Sequence, residues 1–194
     1  MIILLAAVSA LGPVGMQILL PALPVIKQKF YVTNDVAQLT LSLSMLAIAI
    51  GTLVYGPLSD KFGRKRVMLV GIVITILGSI VCFVADSIML LISGRFIQAF
   101  GGAVGLVLAR AIVRDVYGPE EAARVIATLV MVMVVLPMMS PALGGELMQR
   151  FGFESVFIVI AFASAIALVF LFLWLPETLA KPVPFEGVKS MLMT

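Results

Sequence analysis

Six long apolar runs, separated by short polar or charged stretches, make up most of this chain. They occupy residues 2–26, 36–58, 67–85, 88–113, 122–147 and 153–175. A helix needs about 20 apolar residues to cross a bilayer core, so each run is long enough for one span. Barrel strands alternate polar and apolar residues over about ten positions, whereas these runs are continuous. The pattern predicts an all-α membrane protein, a bundle of six transmembrane helices over residues 1–175.

The first run has an alternative interpretation as a secretory signal peptide. It lacks a positively charged start, and it is longer than the usual apolar region of about 7–15 residues. Pro21 and Pro24 lie where small residues would mark a cleavage site. We therefore predict that the run is a retained span.

Composition supports the membrane assignment and excludes other classes. Hydrophobic residues form 62% of the 194 positions and the mean hydropathy is +1.22, against roughly 45–50% apolar residues in soluble domains. The net charge is +3, but the basic residues are scattered along the chain and no aromatic stacking surface accompanies them. Nucleic acid is therefore not an expected partner. The chain has no histidine, and its single cysteine lies in an apolar run. We expect no enzyme activity, no metal and no cofactor.

The distribution of lysine and arginine predicts the orientation. With the amino terminus in the cytoplasm, nine basic residues lie on that side and three lie outside, as the positive-inside rule requires. The cytoplasmic set is Lys61, Arg64, Lys65, Arg66, Arg110, Arg114, Arg124, Lys181 and Lys189. Both termini of this multi-pass protein are then cytoplasmic, in a cell or inner membrane. Residues 176–194 are expected to form a cytoplasmic tail or the start of a linker.

A charged segment over residues 56–66 lies between the second and third runs. Charged residues are 12% of the chain, yet five lie within seven positions here, so the segment is expected to form a loop in water. Gly56 and Gly63 permit a tight turn and close backbone approach. Asp60 can accept hydrogen bonds from a helix amino terminus. The alternative is a solvated loop that only sets topology.

This segment resembles the Gly-x-Leu-x-Asp-Arg/Lys-x-Gly-Arg-Arg/Lys loop of the major facilitator superfamily. The matching residues are Gly56, Leu58, Asp60, Lys61, Gly63, Arg64 and Lys65. Residues 110–115 are similar to the Arg-x-x-x-Arg-Asp ending found in the Bcr/CflA branch of its drug-resistance transporters. The resemblance implies that Asp115 pairs with Arg64, and that Asp60 engages the other half of a transporter, as a conformational latch. An ordinary surface ion pair is the alternative.

The fourth run contains a buried charge. Leu91, Arg95 and Gln98 reproduce the Leu-x-x-x-Arg-x-x-Gln-Gly pattern of proton-coupled drug antiporters, with Ala99 at the final position. An arginine in lipid costs at least a few kcal/mol, so Arg95 must face the bundle interior and find partners there. Gln98 lies one turn further on, on the same face. Both are candidates for the substrate or proton pathway, and the alternative is a structural hydrogen-bond hub.

The fifth run is similar to the Gly-Pro-x-x-Gly-Gly signature of antiporters through Pro141, Gly144 and Gly145, although Ser140 replaces the first glycine. Together with Pro137, it predicts a bent helix whose glycines permit close packing. A kinked membrane helix without a specific role is the alternative.

The first run resembles the Asp-Met-Tyr-Leu-Pro-Ala-Leu-Pro stretch of the Bcr/CflA branch, but Gln17 stands where the acid is found. Glutamine does not titrate in the working pH range. Either proton coupling uses another group, for which Glu146 is a candidate, or the substrate is not a simple cation. Gln17 is the third candidate for the pathway.

The resemblance extends over essentially the whole chain and corresponds to the amino-terminal six-span half of a twelve-span transporter. It implies secondary active transport, with proton-coupled efflux of drugs or small hydrophobic metabolites. The expected partners are membrane lipid, a small-molecule substrate, protons and a second six-helix half, in the same polypeptide, a second copy or a separate protein. The alternative function is a non-transporting membrane scaffold or regulatory subunit.

Overall fold

A computed structural model describes residues 1–179 as helices joined by short links. The helices are α1 (Ile2–Gln17), a 3₁₀ turn (Leu20–Ala22), α2 (Leu23–Phe30), α3 (Asn34–Phe62), α4 (Arg64–Phe83), α5 (Ile88–Val116), α6 (Pro119–Phe151) and α7 (Ser155–Trp174). The first three form one continuous apolar stretch, and with α3 to α7 they provide six helical segments long and apolar enough to cross a membrane. The predicted fold class is confirmed. Residues 180–194 of the predicted tail lie outside the described residues.

Prolines shape the first span. The α-helical conformation of α1 ends at Gln17, and a 3₁₀ turn containing Pro21 follows before α2 begins. Pro24 lies in the first turn of α2, where a missing backbone N–H is tolerated. Tyr31 ends α2 with a left-handed φ of 52°. The span is therefore two helices in series.

The link between α3 and α4 is the single residue Gly63. The prediction of a loop over residues 56–66 is wrong, because α3 continues through Pro57 to Phe62 and α4 begins at Arg64. Gly63 has a φ of +96°, a conformation that residues with a side chain rarely adopt. Hydropathy falls where the chain leaves the apolar region, but a helix continues into water until its backbone is broken. The charged segment is therefore the last two turns of one helix and the first turn of the next.

The most buried helix, α5, packs against α1, α3 and α4. Its glycines allow backbones to approach closely: a Cβ on Gly105 would lie 2.2 Å from the carbonyl oxygen of Val8 in α1. Around this contact the core is aliphatic. It includes Leu5, Ile72, Val104, Leu108 and Ile112. Side chains on α5 are thus held by three neighbouring helices.

The two prolines of α6 lie inside a continuous helix. Pro141 has no N–H to donate to the carbonyl of Pro137 one turn earlier. Ser140 Oγ donates to that carbonyl instead, over 2.8 Å, and Ser140 is buried. The serine that replaces a glycine of the antiporter signature therefore satisfies an acceptor that the proline leaves open.

Only one of the two glycines after Pro141 packs closely against another helix. A Cβ on Gly144 would lie 2.3 Å from the carbonyl oxygen of Ile18, whereas a Cβ on Gly145 would meet nothing within 4 Å among the described atoms. Neighbouring residues of a helix point in directions about 100° apart, so one glycine of the pair faces the first span and the other does not. Within residues 1–179 the predicted close packing is therefore seen at Gly144 and not at Gly145.

The helices alternate in direction, so their links gather at two ends of the bundle. The Gly63 end holds the α3–α4 and α5–α6 links and residues 175–179, and the Glu154 end holds the α2–α3, α4–α5 and α6–α7 links. There Lys29 of α2 forms an ion pair with Glu154, which precedes α7. Burial alone would raise the pKa of Glu154, but the hydrogen bond and charge of Lys29 hold that pKa below its usual value. The pair joins the first span to the sixth.

Candidate functional site

Arg95 lies inside the bundle and joins three helices. The residue is only 2% exposed. Its Nη1 donates to the backbone oxygen of Gly15 in α1 over 3.0 Å and to Oε1 of Gln98. Gln98 Nε2 donates in turn to Ser79 Oγ in α4 over 2.6 Å. The two α5 side chains therefore form one polar connection from α1 to α4 through an apolar interior.

A small cavity of about 10 Å³ adjoins this connection, which is close to the space that one water molecule occupies. Arg95, Gln98, Thr75 and Met16 are among the residues that line it. Arg95 Nε has no hydrogen-bond partner among the atoms of residues 1–179. The guanidinium retains an unused donor at the centre of the bundle.

No carboxylate neutralises Arg95 in the described part of the chain. The acidic residues from 1 to 179 lie in links or within about two turns of a helix end, and none of them forms an ion pair with Arg95. Neutral dipoles accept its hydrogen bonds: a backbone carbonyl oxygen and a side-chain amide oxygen. A buried charge held this way is expensive in a bilayer and is a functional feature by default.

Gln17 is not brought to this network. It is the half-buried last residue of α1, and the Arg95 cavity is lined by Gly15 and Met16 from that part of the helix, with Gln17 absent from the lining. The three residues predicted for one pathway thus divide into a buried pair, Arg95 with Gln98, and a separate glutamine.

The second cluster lies at the Gly63 end and centres on Arg64. Its Nε donates to Asp115 Oδ2 over 3.0 Å, so the expected pair is present. Nη1 lies 2.6 Å from Asp60 Oδ1 and 2.5 Å from Ser59 Oγ. The expectation that Asp60 accepts from a helix amino terminus is wrong for this contact, because its carboxylate binds a side chain four residues along. We call this set the Arg64 cluster.

The acid at the amino terminus of α4 is Glu177, which the sequence analysis missed. Its Oε1 accepts a hydrogen bond from the backbone N–H of Arg64 over 2.8 Å. A carboxylate is stabilised there by the unpaired N–H groups and the helix dipole. Because 113 positions separate the two residues, the only sequence signal was an acid directly after the sixth run.

Lys65 makes the converse contact at the same end. Its Nζ donates to the backbone oxygen of Phe172 over 3.0 Å, in the last turn of α7. A cation is favoured near the carboxyl end of a helix, where carbonyl groups are unpaired. Lys61, in the last turn of α3, lies with Nζ 5.1 Å from the centre of the Phe62 ring.

A polar groove of about 550 Å³ opens between α3 and α5 beside the Arg64 cluster. Its polar and charged lining residues are Thr52, Asp60, Arg64, Arg110 and Arg114. Gly56 also lines it, and a Cβ there would meet nothing within 4 Å among the described atoms. Within residues 1–179 Gly56 therefore lines an open groove and does not make the close backbone approach that was expected.

The chain matches a family model described as Major Facilitator Superfamily over residues 5–191. It is 31% identical to the bicyclomycin resistance protein homolog of Haemophilus influenzae, over 93% of this chain and 45% of that protein. It is 27% identical to multidrug resistance protein D of Escherichia coli, over 100% of this chain and 48% of that protein. The chain thus spans about half the length of these curated relatives.

Among solved structures, the crystal structure of the human organic anion transporter MFSD10 superposes with a TM-score of 0.79 at 22% identity. The match covers 97% of this chain and 51% of that one. At this identity the likeness concerns the fold. The predicted resemblance to Bcr/CflA-type transporters is confirmed by the relatives above, and the chain belongs to the major facilitator superfamily of multi-pass membrane transporters.

Proposed function

We propose that this chain is the amino-terminal six-helix half of a secondary active transporter, which exports drugs or small hydrophobic metabolites in exchange for protons. It works with a second six-helix half. Both ends of the chain face the cytoplasm of a cell whose inner membrane it spans, as the nine-to-three distribution of basic residues favours. In this fold substrates bind near the midplane between the halves, which rock against each other.

The observation that carries the proposal is the set of bonds around Arg64. Its side chain reaches α5 through Asp115, its backbone N–H reaches Glu177 after α7, and Lys65 reaches the end of α7. Three helices are thereby fastened together at the end where a single glycine joins α3 to α4. A half that rocks as one rigid body needs such fastening.

Asp60 provides the second support. Its side chain is 46% exposed although one oxygen is bound to Arg64. The exposed part of this carboxylate is available to a group of the second half. Making and breaking that contact while the Arg64–Asp115 pair persists would act as the latch that the motif resemblance implies. An exposed pair contributes about 0–1 kcal/mol, which suits a contact that must open in each cycle.

Among residues 1–179, no acidic side chain lies near the midplane of this half, where it could carry the coupled proton. Gln17 does not titrate in the working range, and the described acids lie near helix ends. We therefore place the proton-carrying carboxylate in the second half or at a helix end of this one. Arg95 would then act as the fixed positive charge that tunes the protonation of that carboxylate.

The test uses bicyclomycin, the drug in the name of the Haemophilus influenzae relative. Inverted membrane vesicles from cells that express the chain together with a second six-helix half, the carboxyl-terminal half of that relative, are energised to make their interior acidic, and drug uptake is followed by mass spectrometry. Uptake that collapses when a protonophore dissipates the gradient supports proton-coupled export. Uptake unchanged by the protonophore would contradict the coupling, and no uptake of bicyclomycin or other drugs would favour the scaffold.

A further inference from the structure

We propose that the groove between α3 and α5 is a capture site for small organic anions, so that negatively charged compounds are among those exported. This inference rests on the proposed transport function and specifies its substrate class. We call this cavity the α3–α5 groove.

The charge balance of the α3–α5 groove is positive. Arg64 is engaged by Asp60 and Asp115. Arg110 and Arg114 form no ion pair within residues 1–179, and Arg110 makes only a weak contact of 4.0 Å with the sulfur of Met133 in that part of the chain. Three arginines against two carboxylates leave one positive charge. Two guanidinium groups therefore remain available for a carboxylate, which they can bind with paired hydrogen bonds.

Arg95 provides independent evidence deeper in the same helix. It is buried, it has no carboxylate partner in the described chain, and its Nε has no hydrogen-bond partner there. Charge interactions weaken little in a low-dielectric interior, so the field of this group extends into the space beside α5. That field attracts anions and repels cations.

The two regions lie along one helix. Positions 98, 102, 106 and 110 follow one another at four-residue spacing, so they form a nearly continuous stripe on α5. Arg95 is one turn before this stripe and Arg114 is one turn after it. Fifteen residues separate Arg95 from Arg110, which is about 22 Å along the helix axis. Positive charge therefore recurs along α5, from the groove to the buried Arg95.

Glutamine at position 17 fits the same substrate class. Gln17 is neutral at every working pH, so it offers no negative charge to attract a cation. Within residues 1–179 the spans offer a buried positive charge, and their acids lie near the helix ends. A cationic drug would therefore meet a repulsive interior in this half.

The test compares three isosteric probes that differ in charge: benzoate, benzamide and benzamidinium. Each is titrated against the purified full chain in nanodiscs of neutral lipid, and binding is followed by ligand-observed NMR. We expect benzoate to bind about tenfold more tightly than benzamidinium, with benzamide between them. Equal binding of the three, tighter binding of benzamidinium, or no binding of benzoate would overturn the proposal.

Variants locate the site. Arg110→Gln with Arg114→Gln should weaken benzoate binding about tenfold, whereas Arg110→Lys with Arg114→Lys should retain most of it. Arg66→Gln is the control for a change of charge at the same end of the bundle: it removes one positive charge, where the double variant removes two, and Arg66 lines a different groove, between α3 and α4. Equal losses in the control and in the double glutamine variant would overturn the assignment.

Phosphatidylglycerol in the nanodiscs distinguishes a soluble anion from a lipid headgroup. If the groove opens to water, the affinity for benzoate in these nanodiscs should stay within about threefold of that in neutral lipid. Complete loss of benzoate binding would assign the site to a lipid headgroup and overturn the substrate class. Bicyclomycin uptake distinguishes a failure of the capture site from a failure of the proposed transport function. Uptake without anion preference rejects only the capture site, whereas anion binding without drug transport rejects only the proposed function.

Discussion

Arg64 Nε donates to Asp115 Oδ2 over 3.0 Å, and this bond joins the first residue of α4 to the last turn of α5. The Arg64 side chain is largely buried, so the pair lies in a less polar environment than an ordinary surface ion pair. It also positions Arg64 for its contact with Asp60. The pair is the central fastening of the Gly63 end.

Asp115→Asn should loosen that fastening while keeping the shape of the side chain. We expect a loss of about 1 kcal/mol in the free energy of unfolding, since one charge of a partly buried pair is removed. Amide hydrogen exchange should quicken at residues 59–66. Asp35→Asn is the control, because Asp35 forms no ion pair within residues 1–179. Equal exchange in both variants would show that the pair does not fasten the helices.

Gly63→Ala should destabilise the protein by about 1–3 kcal/mol. Its φ of +96° is strained for alanine, and the added Cβ would lie 2.4 Å from Glu177 Oε2. Thermal unfolding in detergent measures the effect. Gly56→Ala is the matched control in the same motif, where the helical backbone and open surroundings should make alanine neutral or stabilising by up to about 1 kcal/mol. Similar melting temperatures for both variants would contradict the single-residue link.

The adjacent glycines of α6 offer a second matched pair. Gly144→Ala should cost about 1–3 kcal/mol, because its Cβ would lie 2.3 Å from the backbone of Ile18 and the helices must separate. Gly145→Ala should cost nothing and can stabilise the helix. Thermal unfolding of the two variants, side by side, checks the direction in which α6 faces the first span. A larger loss for Gly145→Ala would require a different rotation of α6.

The Lys29–Glu154 pair predicts a pH dependence. The folded-state pKa of Glu154 lies below its unfolded value, so the stabilisation is present above the unfolded pKa and is lost as pH falls through the folded one. Glu154→Gln should lower stability by less than about 1 kcal/mol at neutral pH, since both side chains are partly exposed. Unfolding curves of the variant and the original protein should converge in acid. A difference in stability between the two proteins that persists at low pH would contradict the assignment of this stabilisation to the Lys29–Glu154 pair.

The sequence predicts the six spans because hydropathy over about 20 residues reports directly on burial in lipid. It also predicts that Arg95 is buried, since an isolated guanidinium in hydrocarbon is too costly. It does not reveal the partner of Arg95 on α1, because a backbone carbonyl such as that of Gly15 carries no side-chain signal. That contact depends on how closely two helices approach.

Other features depend on the fold in the same way. The end of α3 at Phe62, past the apolar run, is set by the backbone of Gly63 and not by hydropathy. The contact of Glu177 with the start of α4 joins residues far apart in sequence. Whether Gly144 or Gly145 faces the first span depends on the rotation of α6 about its axis. The sequence does not reveal this rotation, because the two neighbouring residues are identical.

The proposed requirement for a second six-helix half is tested most directly by reconstitution. The chain is placed in liposomes alone, or together with the carboxyl-terminal half of the Haemophilus influenzae relative, and bicyclomycin movement under an imposed pH gradient is measured. We predict gradient-dependent transport in the paired liposomes and none with monomers of the chain alone. Transport by the monomeric chain, or its absence from assembled pairs, would contradict the account.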